Sequence, residues 1–148
     1  MPTQPVVIHE RLGNWSRQLR PRLTDWPIRW VESRSTADLI SGLQGTVCPI
    51  LVLDLGRQVR QGIEDLAKAA AISPDALILV LDPLGRSGMP ILARECGATL
   101  LFQGFVPPPN VAALIERWLP LARRRAEAFG WIGLESPEPT PWEPLEAM

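Results

Sequence analysis

Five short apolar runs punctuate the chain: PVVI (5–8), IRWV (28–31), PILVL (49–53), ALILVL (76–81) and TLLF (99–102). They are continuous rather than alternating, the pattern of strands covered on both faces. Segments with helical spacing separate them. Leu12, Trp15, Leu19 and Leu23 form one stripe, and Pro21 is expected to kink or shorten that helix. Ser35 followed by Asp38 resembles a capping box with Asp in place of Glu, opening a helix through Leu39, Ile40 and Leu43. Ile63, Leu66, Ala67 and Ala70 mark a third helix, ended by Ser73-Pro74. Met89 to Cys96 is a short fourth, with Pro90 in its first turn and Gly97 just past its end. Asn110 is expected to cap the fifth, whose apolar face carries Val111, Leu114, Ile115, Trp118 and Leu119, and Pro120 to bend it.

The order is (βα)5. Alternating strands and helices predict a parallel sheet with right-handed crossovers and helices on both faces. Five such units in about 125 residues suit a flavodoxin-like three-layer sandwich with strand order 2-1-3-4-5. Neither GxGxxG after the first strand nor GxxxxGK[ST] occurs, which counts against a phosphate-cradling loop. After residue 130 the pattern changes. WIGLESPEPTPWEPLEAM holds four prolines, four acidic residues and no basic one. The expected organisation is one domain, 1–130, and an acidic, proline-rich tail, 131–148, extended or disordered for want of a core.

Composition narrows the function. Fifteen basic against sixteen acidic residues in 148, a net charge of -1, give no footprint for nucleic acid or an anionic membrane. No apolar run approaches the roughly 20 residues of a bilayer span, and the N-terminus lacks the pattern of a signal peptide. Cys48 and Cys96 form no CxxC pair and read as reduced thiols of a cytoplasmic protein. Lys68 is the only lysine and there is no tyrosine.

Ligands of open α/β sheets sit beyond the C-terminal strand ends. Those ends carry His9-Glu10, Asp54, Asp82 and Gln103-Gly104. In a 2-1-3-4-5 sheet Glu10, Asp54 and Asp82 should converge at one edge. The lone histidine has no HExxH or Cys/His cluster to make a zinc site and no GxSxG serine to make a triad, so enzyme chemistry is not expected. Asp82-Pro83-Leu84-Gly85 also reads as a turn.

Over residues 5 to 129 this arrangement resembles the receiver domain of bacterial response regulators. The resemblance makes Asp54 the phospho-acceptor position and places His9-Glu10 where the family has an acidic pair. The interval from Asp82 to Gly97-Ala98 matches that from the family's Thr/Ser to its Gly-Ala, so Asp82 takes the hydroxyl position. The family lysine falls at Gln103 or Gly104, and the aromatic switch position near Leu101. Glu10 and Asp54 are candidate ligands for Mg²⁺ through oxygen. Asp82, however, would set a negative charge where a phosphoryl group must sit, a repulsion of about 4 kcal/mol at 4 Å and an effective dielectric near 20. Only an arginine such as Arg57 or Arg86, or a metal, would offset it. The expectation is a pseudo-receiver that needs no cofactor and works by protein contact or homo-oligomerisation, through the face of the fourth helix, fifth strand and fifth helix. A phospho-accepting receiver using Asp54 and Mg²⁺ is the second reading, and a small-ligand binder the third. Trp15, Trp30 and Trp118 read as core, Trp26 as loop. Trp131 and Trp142 read as tail anchors for a partner or for the chain's own domain, with Arg123-Arg124-Arg125 as a counter-charge.

Overall fold

The computed structural model of the chain describes residues 3–135. Five parallel strands, β1 (Gln4–His9), β2 (Ile28–Ser33), β3 (Ile50–Asp54), β4 (Leu77–Asp82) and β5 (Leu100–Gln103), form one sheet in the order β2-β1-β3-β4-β5. Each expected strand lies within two residues of these bounds. The helices are α1 (Asn14–Leu19), α2 (Thr36–Leu43), α3 (Val59–Ile72), α4 (Met89–Glu95) and α5 (Pro108–Glu135). This is the flavodoxin-like α/β architecture.

The continuous apolar runs are explained by a core on each side of the sheet. Val6, Ile8, Ile50, Val52, Leu77 and Leu79 face α1 and α5, meeting Leu19, Ile115 and Trp118. Val7, Leu51, Leu53, Ile78 and Val80 face α2, α3 and α4, meeting Leu39, Leu66 and Ala93. Successive strand side chains point to opposite faces, so only an unbroken apolar run fills both layers.

The helices follow their local signals with some corrections. Pro21 ends α1 early, and the chain continues as a 3-10 turn over Arg20–Leu23. Leu12 precedes that helix and is 75% exposed, so it is no part of the stripe. The Ser35 hydroxyl accepts from the Asp38 amide at 3.1 Å, the expected cap. Helix α3 packs Ile63, Leu66 and Ala70 against the core as expected, but Ala67 is exposed and Gly62, Asp65 and Ala69 are buried as well. Gly62 lies close to the end of β3, where a Cβ would meet Leu55 Cδ2 at 2.6 Å. Helix α5 begins two residues before Asn110, its first turn accepting Pro108 and Pro109. It runs through Pro120 and past residue 130 to Glu135, so the expected boundary falls inside a helix. Trp-Ile-Gly-Leu-Glu (131–135) contains no proline, and the first strong stop is Ser136-Pro137. The remaining expectation of an extended tail, and Trp142 with it, lies outside the described residues.

Candidate functional site

The topology brings the C-terminal ends of β1, β3, β4 and β5 together, and the residues expected there divide into three hydrogen-bonded groups.

The first group belongs to Glu10 and Asp54. Glu10 follows β1 and is buried. Its two carboxylate oxygens accept from the backbone amides of Trp15 and Ser16, each at 2.9 Å. Those are free N–H groups of the first turn of α1. The N-cap itself is Gly13, which has no side chain to offer and sits at φ 75. Glu10 therefore does the capping from three residues upstream, and its charge is favoured at that helix end. Asp54, half-buried at the end of β3, accepts from the Trp15 indole Nε1–H at 3.1 Å and from the Gly56 amide at 2.8 Å. Gly56 is at φ 57, a conformation that glycine adopts without strain. Trp15 thus packs its ring against the α1/α5 core and ties the acceptor-position carboxylate to α1.

The second group is built on Asp82. Its side chain is fully buried and would be prohibitive there without a partner. Arg86 supplies one. Its Nη1 donates to Asp82 Oδ1 at 2.6 Å and its backbone amide to Oδ2 at 2.7 Å. Its Nη2 donates to the Gly56 carbonyl at 2.7 Å, in the loop after β3. Gln103 at the end of β5 donates to Asp82 Oδ2 at 3.3 Å and to the Arg86 carbonyl at 2.8 Å. The Gly104 amide, next in the chain, donates to the Asp82 carbonyl at 2.8 Å. Three loops are cross-linked by this assembly. The repulsion expected from Asp82 is cancelled internally by Arg86, while Arg57 lines a neighbouring cavity instead. The expected turn is also present, since the Gly85 amide donates to the Asp82 carbonyl.

The third group was not anticipated. His9 is buried between Ser33 Oγ on Nδ1 and Asp65 Oδ2 on Nε2, both at 2.8 Å. Asp65 Oδ1 accepts from the Thr36 hydroxyl at 2.7 Å and from Gln61 at 3.0 Å. Burial alone would raise the Asp65 pKa. The hydrogen bonds from Thr36, His9 and Gln61, with the charge of His9, outweigh it and hold the carboxyl below its ordinary value. The network joins β1, β2, α2 and α3. A sequence signal for it existed, an Asp directly before the core residue Leu66, but the expected stripe Ile63, Leu66, Ala67, Ala70 did not include Asp65. Ser33 is 1% exposed and hydrogen-bonds the Ser35 carbonyl as well, so Ser33, His9 and Asp65 form an internal tie rather than a nucleophile assembly.

Mg²⁺ demands near-octahedral oxygen coordination. Each of the four oxygens of Glu10 and Asp54 accepts one protein N–H group and keeps a further lone pair, while His9 stands where the resemblance has a carboxylate and is held on both nitrogens. Among the described residues no group of three His, Cys, Asp or Glu side chains is disposed to hold a metal. Lys68 lies exposed on α3 and Leu101 is half-buried against the α3/α4 core, so neither supplies a phosphate-binding cation or an aromatic switch. What the edge does offer is space. Cavities of about 450, 250 and 210 Å³ adjoin Asp54, and the largest is rimmed by Arg11, Leu12, Arg57 and Leu84.

No family model and no curated protein matches the sequence. Solved structures do match the fold. A response regulator from Burkholderia pseudomallei, solved with a phosphorylated aspartic acid, calcium ion and citrate, is 16% identical with a TM-score of 0.65, over 90% of this chain and 75% of that one. A CheY-like receiver domain from Methanospirillum hungatei JF-1 is 12% identical with a TM-score of 0.68, over 83% of this chain and 98% of that one. The chain has the receiver fold. A structure described as adenylate cyclase from Rhodopirellula baltica shares it too, at 12% identity and a TM-score of 0.70, over 89% of this chain and 98% of that one. No described helix is long and apolar enough to cross a membrane.

Proposed function

We propose that the chain is a non-catalytic, receiver-like signalling or scaffold module of the cytoplasm that acts by protein contact and without phosphorylation. One observation carries the reading. The loops around Asp54 are fixed to one another by the Asp82–Arg86–Gly56 bridge, with Gln103 on the same carboxylate, so their arrangement needs no incoming phosphoryl group. A receiver that switches must let such loops move on phosphorylation, and a two-state element is what a switch acts on. Exposed apolar side chains on the expected face support a partner surface there. Ile91 and Leu92 of α4 and Leu100 of β5 are 68%, 40% and 39% exposed, a patch suited to a protein partner or a second copy.

The test is acetyl phosphate with Mg²⁺, read by intact mass. The expected result is no adduct. A stable gain of about 80 Da, one phosphoryl group, lost in Asp54→Ala, would overturn the reading. It would establish the second one, a phospho-accepting receiver, which the partial exposure of Asp54 beside the largest cavity supports.

A further inference from the structure

At the opposite edge of the sheet, where β1 begins and β2 is entered, an apolar groove of about 130 Å³ is lined by Gln4, Trp26, Pro27, Leu119, Pro120 and Arg123. The Trp26 ring is not needed by either core layer and is 37% exposed. An indole flanked by two prolines is the kind of surface that proline-rich, extended segments recognise, because their backbone is already close to the bound conformation. The chain carries such a segment. Residues 136–148, SPEPTPWEPLEAM, hold Pro137, Pro139, Pro141 and Pro144 around Trp142, with Glu138, Glu143 and Glu146 and no basic residue. The groove is bordered by Arg123 of α5, opposite in sign to the segment.

The distances agree. Helix α5 carries the chain twelve residues beyond Arg123, to Glu135, which at about 1.5 Å per residue is a displacement of about 18 Å. Ser136-Pro137 is a helix-stop signal in the sequence, and Trp142 follows Glu135 by seven residues. At about 3.1 Å per residue in polyproline II that is about 22 Å, against about 18 Å back to Arg123, the end of the groove nearest Glu135.

We propose that residues 136–148 fold back along α5 and seat Trp142 and its neighbouring prolines in the groove formed by Trp26, Pro27 and Pro120. The segment is then a ligand of its own domain, held at the end of the fold away from Asp54.

The experiment uses the full chain, ¹⁵N-labelled, with the Trp26 indole N–H resonance assigned through Trp26→Phe. Trp142→Ala is expected to shift the Trp26 resonance and to make cleavage by a Glu-specific protease after Glu146, the one Glu of the segment not followed by Pro, several-fold faster by intact mass, with no change in melting temperature. Trp26→Ala should accelerate the same cleavage, which gives a reciprocal check from the groove side. An unchanged Trp26 resonance together with unchanged cleavage in Trp142→Ala would overturn the proposal. A Trp26 shift that depends on protein concentration would also overturn it, assigning the groove to the tail of a second copy.

Discussion

Replacing Arg86 with methionine removes the guanidinium and keeps the length of the side chain. The Asp82 carboxylate then stays fully buried with the Arg86 backbone amide at 2.7 Å and Gln103 at 3.3 Å as its remaining donors. Breaking one partner from a buried ion pair costs about 3–5 kcal/mol, because the other charge is left uncompensated. Here two features reduce that figure. The Arg86 side chain is 20% exposed, so water can replace part of it, and Asp82 keeps two donors. We expect about 2–3 kcal/mol, which for a domain of this size is a fall in melting temperature of roughly 4–12 °C. The informative measurement is a double-mutant cycle by urea unfolding. Arg86→Met/Asp82→Asn should cost less than the sum of the single changes, with a coupling of at least about 1 kcal/mol. Additive costs, or a single-variant cost within about 0.5 kcal/mol of zero, would show that the bridge does not hold the three loops and would remove the support for a fixed arrangement.

Asp65→Asn should destabilise the protein by about 1–3 kcal/mol at pH 7, the range for hydrogen bonds to a charged group. Because the folded-state pKa of Asp65 is depressed, its contribution is present above the unfolded value near 3.9 and is lost as pH falls below it. Urea midpoints measured from pH 6 to pH 3 should therefore fall less steeply in Asp65→Asn than in the parent, and parallel curves would contradict the network. Cys48 is buried with its thiol on Asp75, and burial, that hydrogen bond and the negative charge push its pKa up to about 12. A thiol reagent at pH 8 should thus titrate one cysteine in the native protein, Cys96, and two after denaturation; rapid reaction of both would refute the burial of Cys48. Trp15→Phe removes the N–H to Asp54 together with the five-membered part of a ring packed on the core, so it should cost at least about 1 kcal/mol by urea unfolding, and a neutral result would show that the bond adds nothing.

The fold was legible because its signals are local. An apolar run of four to six residues, a Pro in a first turn and a Gly at φ 112 after α4 are each set by a few neighbouring residues. The strand order then follows from chain handedness and from the number of units. Helix α3 shows where local signals stop: Ile63, Leu66 and Ala70 were legible from spacing and pack on the core, whereas the burial of Gly62 and Asp65 depends on Leu55 and His9 from other elements.

The site was half legible for a different reason. That Asp54, Glu10 and Asp82 share an edge follows from topology alone. What each carboxylate does there depends on donors from other elements. Glu10 also caps the first turn of α1, and Asp54 also receives the Trp15 indole, and neither contact is legible from the strand ends alone. Asp82 changes most. By position it is a repulsive charge, and by contact it is the anchor of Arg86, four residues away in sequence and reaching across to Gly56. A buried carboxylate must acquire a cation or donors somewhere. For Asp82 they come from the protein itself, from Arg86 and Gln103.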